Sequence, residues 1–154
     1  MTGRFPAVAF AAAMVAIATL RPSLSEEAAH QPPFQPYVDM KTFMEHVLTP
    51  AANTVWHVNA VVIDGKGERD LSPKSDADWE EIVSGAATLA EAANALMIPQ
   101  RALDPQWDAY AKRLGEAAAK AYAAAEAHDL KTISEISNRL DGICAACHRH
   151  YGIE

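Results

Sequence analysis

An all-α fold, an antiparallel four-helix bundle, is predicted for this chain by three observations. Four stretches carry apolar residues at helical spacing. Roughly a fifth of the 154 residues are Ala while only 7 are Gly, and Ala loses no side-chain entropy in a helix. The connections between the stretches are short and hold Pro, Asp and Gly, the residues that stop and start helices. Amphipathic helices joined in this way bury their stripes against one another most economically as an up-down bundle.

The first helix is expected to start near Val38, with Met40, Phe43, Met44 and Val47 on one stripe. Thr49-Pro50 predicts a bend or restart, because Pro is tolerated in the first turn of a helix and not in its interior; Ala51, Ala52, Val55 and Trp56 continue the apolar face beyond it. Residues 61–75 (VVIDGKGERDLSPKS) hold two Gly and one Pro and read as a loop, with Val61–Ile63 the only hint of period two. The second helix starts at Asp76 or Asp78, presents Trp79, Ile82, Val83, Ala86, Leu89, Ala90, Ala93, Leu96 and Met97, and ends before Pro99. Asp104-Pro105 marks the third, an N-cap followed by a first-turn proline; its stripe is Trp107, Tyr110, Leu114, Ala118, Ala121 and Ala125. The Ala-rich run EAAAKAYAAAEA permits close helix approach or leaves room for a bulky ligand. Asp129 caps the fourth, whose inward positions are Leu130, Ile133, Ile136, Leu140, Cys144, Cys147 and Tyr151. No internal repeat is evident.

The amino terminus reads differently. Residues 1–5 (MTGRF) carry one Arg, residues 6–20 (PAVAFAAAMVAIATL) are an uncharged apolar run, and Arg21-Pro22 closes it. A basic start, short apolar core and polar exit form the pattern of a secretory signal, and the run falls short of the roughly 20 residues that span a bilayer. Ser23 and Ser25 suit a signal peptidase, so residues 1–25 are expected to be a cleaved signal; a retained anchor is the alternative. Residues 26–37, with three prolines, read as an extended lead-in, and residues 38–154 as the folded domain. The expected compartment is the bacterial periplasm, with no stable membrane insertion after cleavage. Lys plus Arg is 13 against 20 Asp plus Glu, a net charge of −7, which becomes −9 once Arg4 and Arg21 are removed. An acidic chain lacks the basic surface that releases phosphate counterions, so nucleic-acid binding is not expected.

The chemistry is concentrated in Cys144-Ala145-Ala146-Cys147-His148, the pattern C-x-x-C-H, which in an exported chain reads as a c-type haem attachment site. Each thiol can add across one haem vinyl group, and the neighbouring imidazole can serve as an axial iron ligand. On a helix these residues fall at i, i+3 and i+4 and share one face; Tyr151, at i+7, extends that surface. A thioredoxin-like dithiol needs a preceding strand, and a zinc site needs further ligands. A disulfide at i, i+3 closes only a tiny loop. His150 lies about 200° from His148 around the helix and reads, like His30 and His128, as a solvated residue. No nucleophile-base pair, phosphate loop or paired carboxylates suggest an enzyme.

A helical chain with its C-x-x-C-H in the last helix and an aromatic three residues beyond the His resembles the class II cytochromes c, the cytochrome c′ proteins and their low-spin relatives. The likeness runs from about Val38 to Tyr151, with most of its specificity in CAACHRHY; MKTFMEHVLTPAANTVW and DWEEIVSGAATLAEAANALMIPQR resemble a subgroup of small exported bundle cytochromes. The resemblance implies one covalently attached haem c near the end of the last helix. Cys144 and Cys147 would be the thioether residues and His148 the proximal ligand. The family commonly places Arg or Lys four residues after that His, where this chain has Gly152; the nearby cation is Arg149.

In this family the first helix covers the other haem face. A Met there makes a six-coordinate electron carrier; an apolar residue leaves a five-coordinate iron open to small gases. Here Met44 is the expected sixth ligand, being nearer the middle of the stripe, with Met40 as the alternative. His46 falls on another face, and His57 lies beyond the Pro50 bend as a minor candidate. Met also serves as a core gap-filler. The expected function is a periplasmic monohaem electron carrier cycling Fe(II)/Fe(III). The alternatives are a cytochrome c′-like protein binding NO or CO at an open site, and a haemless helical binding module. Arg101 is a candidate partner for a haem propionate, or else a solvated loop charge. Trp56, Trp79 and Trp107 read as core or haem-wall packing. The expected partners are redox proteins presenting a basic patch, the haem-attachment machinery and a second copy of the chain in a homodimer.

Overall fold

The computed structural model describes residues 34–153. The signal expected at 1–25, His30 and most of the lead-in lie outside the described residues. The described chain is mostly helical: α1 (Met40–Phe43), a five-residue π-turn (Met44–Leu48), α2 (Thr49–Trp56), a 3₁₀ turn (His57–Asn59), strands β1 (Val61–Asp64) and β2 (Gly67–Asp70), then α3 (Asp76–Leu96), α4 (Pro105–Glu126) and α5 (Leu130–His150). Among the described residues no helix is long and apolar enough to cross a membrane.

One expectation is corrected. Residues 61–75 are not simply a loop, and the fold is not purely α: β1 and β2 form an antiparallel hairpin with Val61 opposite Asp70 and Asp64 opposite Gly67. Asp64-Gly65-Lys66-Gly67 supplies the turn chemistry, with Gly67 at φ +112° and the Lys66 N–H donating to Asp64 Oδ1 at 2.7 Å. Strand β2, Gly-Glu-Arg-Asp, is exposed throughout. It buries no face, so period two left no trace in its sequence. The restart expected at Pro50 is found: α2 begins at Thr49 with Pro50 in its first turn. The helix widens just before it, the Thr49 N–H bonding Met44 O in an i→i−5 pattern. A wider turn draws the chain away from the carbonyl that the proline ring would otherwise strike.

The starts of α1, α3, α4 and α5 are each fixed by a side chain; α2, which follows the π-turn directly, has no such cap. Asp39 accepts from the Thr42 N–H at 2.8 Å, so α1 begins two residues after Val38. Ser75 and Asp78 form a reciprocal capping box at α3. Asp104 accepts from the Trp107 N–H at 2.8 Å, and Asp129 from the Thr132 N–H at 3.1 Å. These carboxyls are held below their ordinary value. The first cause is a backbone N–H bond at Asp39, Asp78 and Asp104, and the Thr132 hydroxyl at Asp129. A carboxyl whose folded value is depressed stabilises the fold above its unfolded value of 3.8 and loses that contribution as pH falls through the folded value. Unfolding midpoints followed by helix circular dichroism should therefore be flat from neutral pH to about pH 5 and fall below about pH 4. Asp104→Asn should flatten part of that fall.

The core runs through all the long helices. Val55, Leu89, Ile133 and Leu140 are its largest fully buried side chains, each contributing about 1.5–3 kcal/mol of hydrophobic stabilisation. The most extensive helix pair is α3 with α4. Small residues on α4 allow it: Ala111, Ala118, Ala121, Ala124 and Ala125 are all buried. Leu130, expected inward, is 43% exposed at the start of α5. At one end of α3 and α4 the ring of His128, in the left-handed region at φ 50°, stacks flat on Trp79 with centroids 4.8 Å apart; it is exposed but not free of contacts. At the other end the Trp107 indole donates to Leu96 O at 2.7 Å, tying the start of α4 to the end of α3.

Candidate functional site

The last turns of α5 are held by the start of α4. The Tyr151 hydroxyl donates to Asp104 Oδ1 at 2.8 Å, the same oxygen that caps α4, and its ring meets Trp107 edge-on at 5.3 Å. Burial and the Asp104 carboxylate push the Tyr151 phenol up to about 12, so it remains a donor at any physiological pH. On the other side, α5 is anchored to the end of α2 well before its own C-terminal turns. Asn59 Nδ2 donates to Ser134 O at 2.9 Å and to Asn138 Oδ1 at 3.1 Å.

Beyond that anchor the helices leave a cavity of about 90 Å³. Ile143, Cys144, Cys147 and His148 of α5 line it, together with Met44 and Leu48 of the π-turn, Thr49, Ala52 and Trp56 of α2, and Leu89, Leu96, Trp107, Tyr110, Ala111 and Leu114. The lining is overwhelmingly apolar. The helical spacing of Cys144, Cys147 and His148 thus brings two thiols and an imidazole to one cleft, whose lining also includes Met44.

Other candidates lie elsewhere. Met40 packs on the core but does not line the cleft. His46 is exposed. His57 lines a separate cavity with Asp70, Lys74 and Asp78. Tyr151 supports the cleft from beside it, through Asp104 and Trp107, rather than lining it. Arg101 is neither a cleft residue nor a solvated charge: its guanidinium donates to Ala95 O at 3.3 Å and Val38 O at 3.2 Å and lies 4.2 Å from the centre of the Phe43 ring. It fastens the start of α1 to the end of α3. His150 is exposed, as expected, and packs edge-on to Tyr151 at 4.7 Å.

Both cysteines are free thiols. Burial, then the Asp141 carboxylate, pushes Cys144 up to about 11, and burial raises Cys147 as well. A dithiol oxidoreductase or thiol nucleophile requires the opposite shift, toward thiolate at neutral pH. The cleft therefore keeps two neutral thiols against an apolar wall, poorly suited to thiolate chemistry. Tyr110, Ile143 and Leu89 were not singled out by the sequence as cleft residues. Tyr110 sits one turn after Trp107, and that spacing is the signal that marks it.

No protein family, no curated protein and no solved structure matches this chain.

Proposed function

We propose that the chain is a monohaem c-type cytochrome built as an antiparallel four-helix bundle, and that it carries single electrons. One observation carries the reading: Cys144, Cys147, His148 and Met44 all line one apolar cleft. The donor set fits a c-type haem. Cys144 and Cys147 would hold the tetrapyrrole through thioethers, His148 would ligate its iron, and Met44 would supply a sixth ligand. When bound, the group supplies a metal that cycles between Fe(II) and Fe(III). The chain's own residues do the rest. Leu48, Ala52, Leu89 and Leu114 exclude water. The bond from Tyr151 to Asp104 and the anchor at Asn59 fix the ends of α5, which limits reorganisation of the ligand-bearing turn.

The rest of the reading is periplasmic residence after export, maturation by haem-attachment machinery, and exchange with redox partner proteins, either alone or as a homodimer. It is supported by the apolar run at residues 6–20 and by the negative net charge. Expression in a host with that machinery tests the core of it. The intact mass should exceed that of the processed polypeptide by one haem, and Cys144→Ala/Cys147→Ala should abolish the increment. A wild-type mass equal to the bare polypeptide refutes the proposal.

A further inference from the structure

We infer that the Trp56 indole is the polar anchor of the cleft, its N–H donating to an oxygen acceptor borne by the group that fills it; this rests on the haem reading above. The three tryptophans differ in how their polar edge is used. Trp107, also in the cleft lining, spends its Nε1–H on Leu96 O at 2.7 Å. Trp79 lies at the far end of α3, stacked on His128. Trp56 lines the cleft, yet its Nε1 is buried and has no hydrogen-bond partner among the described residues. Buried indole N–H groups are nearly always paired, and an indole can only donate. The missing partner is therefore an acceptor.

The backbone that carries the ring is pinned: Trp56 closes α2, directly after the fully buried Val55, and its carbonyl accepts from Ser137 Oγ at 3.5 Å. Of its cleft neighbours on α2 and the π-turn, Ala52, Leu48 and Met44 offer no strong acceptor, and the Thr49 hydroxyl makes no hydrogen bond to the indole. The partner must arrive with the occupant. In so apolar a setting an anionic or strongly polarised oxygen makes the strongest bond to such a donor. Two sources share that chemistry: a propionate carboxylate of the tetrapyrrole, or the oxygen of a diatomic ligand on its metal.

The test uses the intact holoprotein with Trp56→Phe and, because Phe also changes shape, with benzothienylalanine at position 56, which keeps the two-ring outline and replaces N–H by sulfur. Resonance Raman spectra of each are compared with wild type. A shift of the propionate bending band in both variants supports the inference and identifies the carboxylate as acceptor. A shift of the C–O stretch of the carbon monoxide adduct in both identifies the diatomic ligand. If wild type takes up no carbon monoxide, the propionate band alone decides. If neither band moves in the benzothienylalanine protein, the inference is overturned while the haem mass increment, and with it the proposed function, stands. If wild type carries no such increment, both fall.

Discussion

Met44→Ala converts the holoprotein from a low-spin to a high-spin spectrum, with loss of the far-red sulfur-to-iron band of the oxidised form, whereas Met40→Ala leaves the spectrum unchanged. Both residues lie on the first-helix stripe, one turn apart, and the sequence permits either as a ligand. The structure separates them: Met44 lines the cleft with His148 and the two cysteines, and Met40 does not. With the thioether as the proposed sixth ligand, its loss should also lower the reduction potential, because Met/His ligation would hold it high. Spectra of the two variants, taken oxidised and reduced, check this directly. An unchanged Met44→Ala spectrum removes Met44 from the ligand set. A wild type that is already high-spin and binds NO or CO turns the reading toward the gas-binding alternative.

Gly85→Ala destabilises the protein by about 1–3 kcal/mol, the usual cost of overpacking a close helix contact. Gly142→Ala, the same change in another helix, stabilises it by about 0.5–1 kcal/mol. Gly85 of α3 is buried where α2 crosses it. A β-carbon there would run into Thr54 Oγ1 and would lie 2.8 Å from Thr54 Cβ. The Thr54 hydroxyl is already committed to Ala51 O at 2.9 Å, so it does not swing away without loss. Thr54→Ala rescues Gly85→Ala only in part, because the β-carbon of residue 54 remains. Gly142, on the exposed face of α5, meets nothing within 4 Å, and Ala there simply restores helix propensity. Urea midpoints of the four variants measure both signs. Equal effects at the two glycines would contradict the close approach of α2 to α3. Since α2 carries Ala52 and Trp56 of the cleft wall, that approach also sets where the wall stands.

The long helices were legible because each announces itself twice, by an apolar stripe and by a capping residue: Asp104-Pro105 and Asp129 mark starts that the structure places there. The hairpin was not legible, because Gly67–Asp70 is fully exposed and no buried face imposes a period on it. Pro50 was legible as a restart, because a proline fits the first turn of a helix; the wider turn that precedes it left no mark in the sequence. At the site, the co-facial set Cys144, Cys147 and His148 followed from helical spacing alone, since i, i+3 and i+4 share a face in any α-helix. Arg101 did not follow. Its partners, the carbonyls of Ala95 and Val38, are backbone groups brought together only by the placement of the segment before α1 beside the end of α3.

By itself, then, the sequence determined that the chain is mostly helical, where its long helices begin, and that two thiols and an imidazole share one face of the last of them. These are local properties, set by propensity, capping and periodicity within a few turns. Only the tertiary structure decided which methionine lines the same cleft, that Arg101 serves the frame and not the cleft, and that the Trp56 indole is left without an acceptor. Each of these depends on how one helix is placed against another, and that placement is fixed by contacts between residues far apart in the chain, such as Asn59 with Asn138, Gly85 with Thr54 and Tyr151 with Asp104.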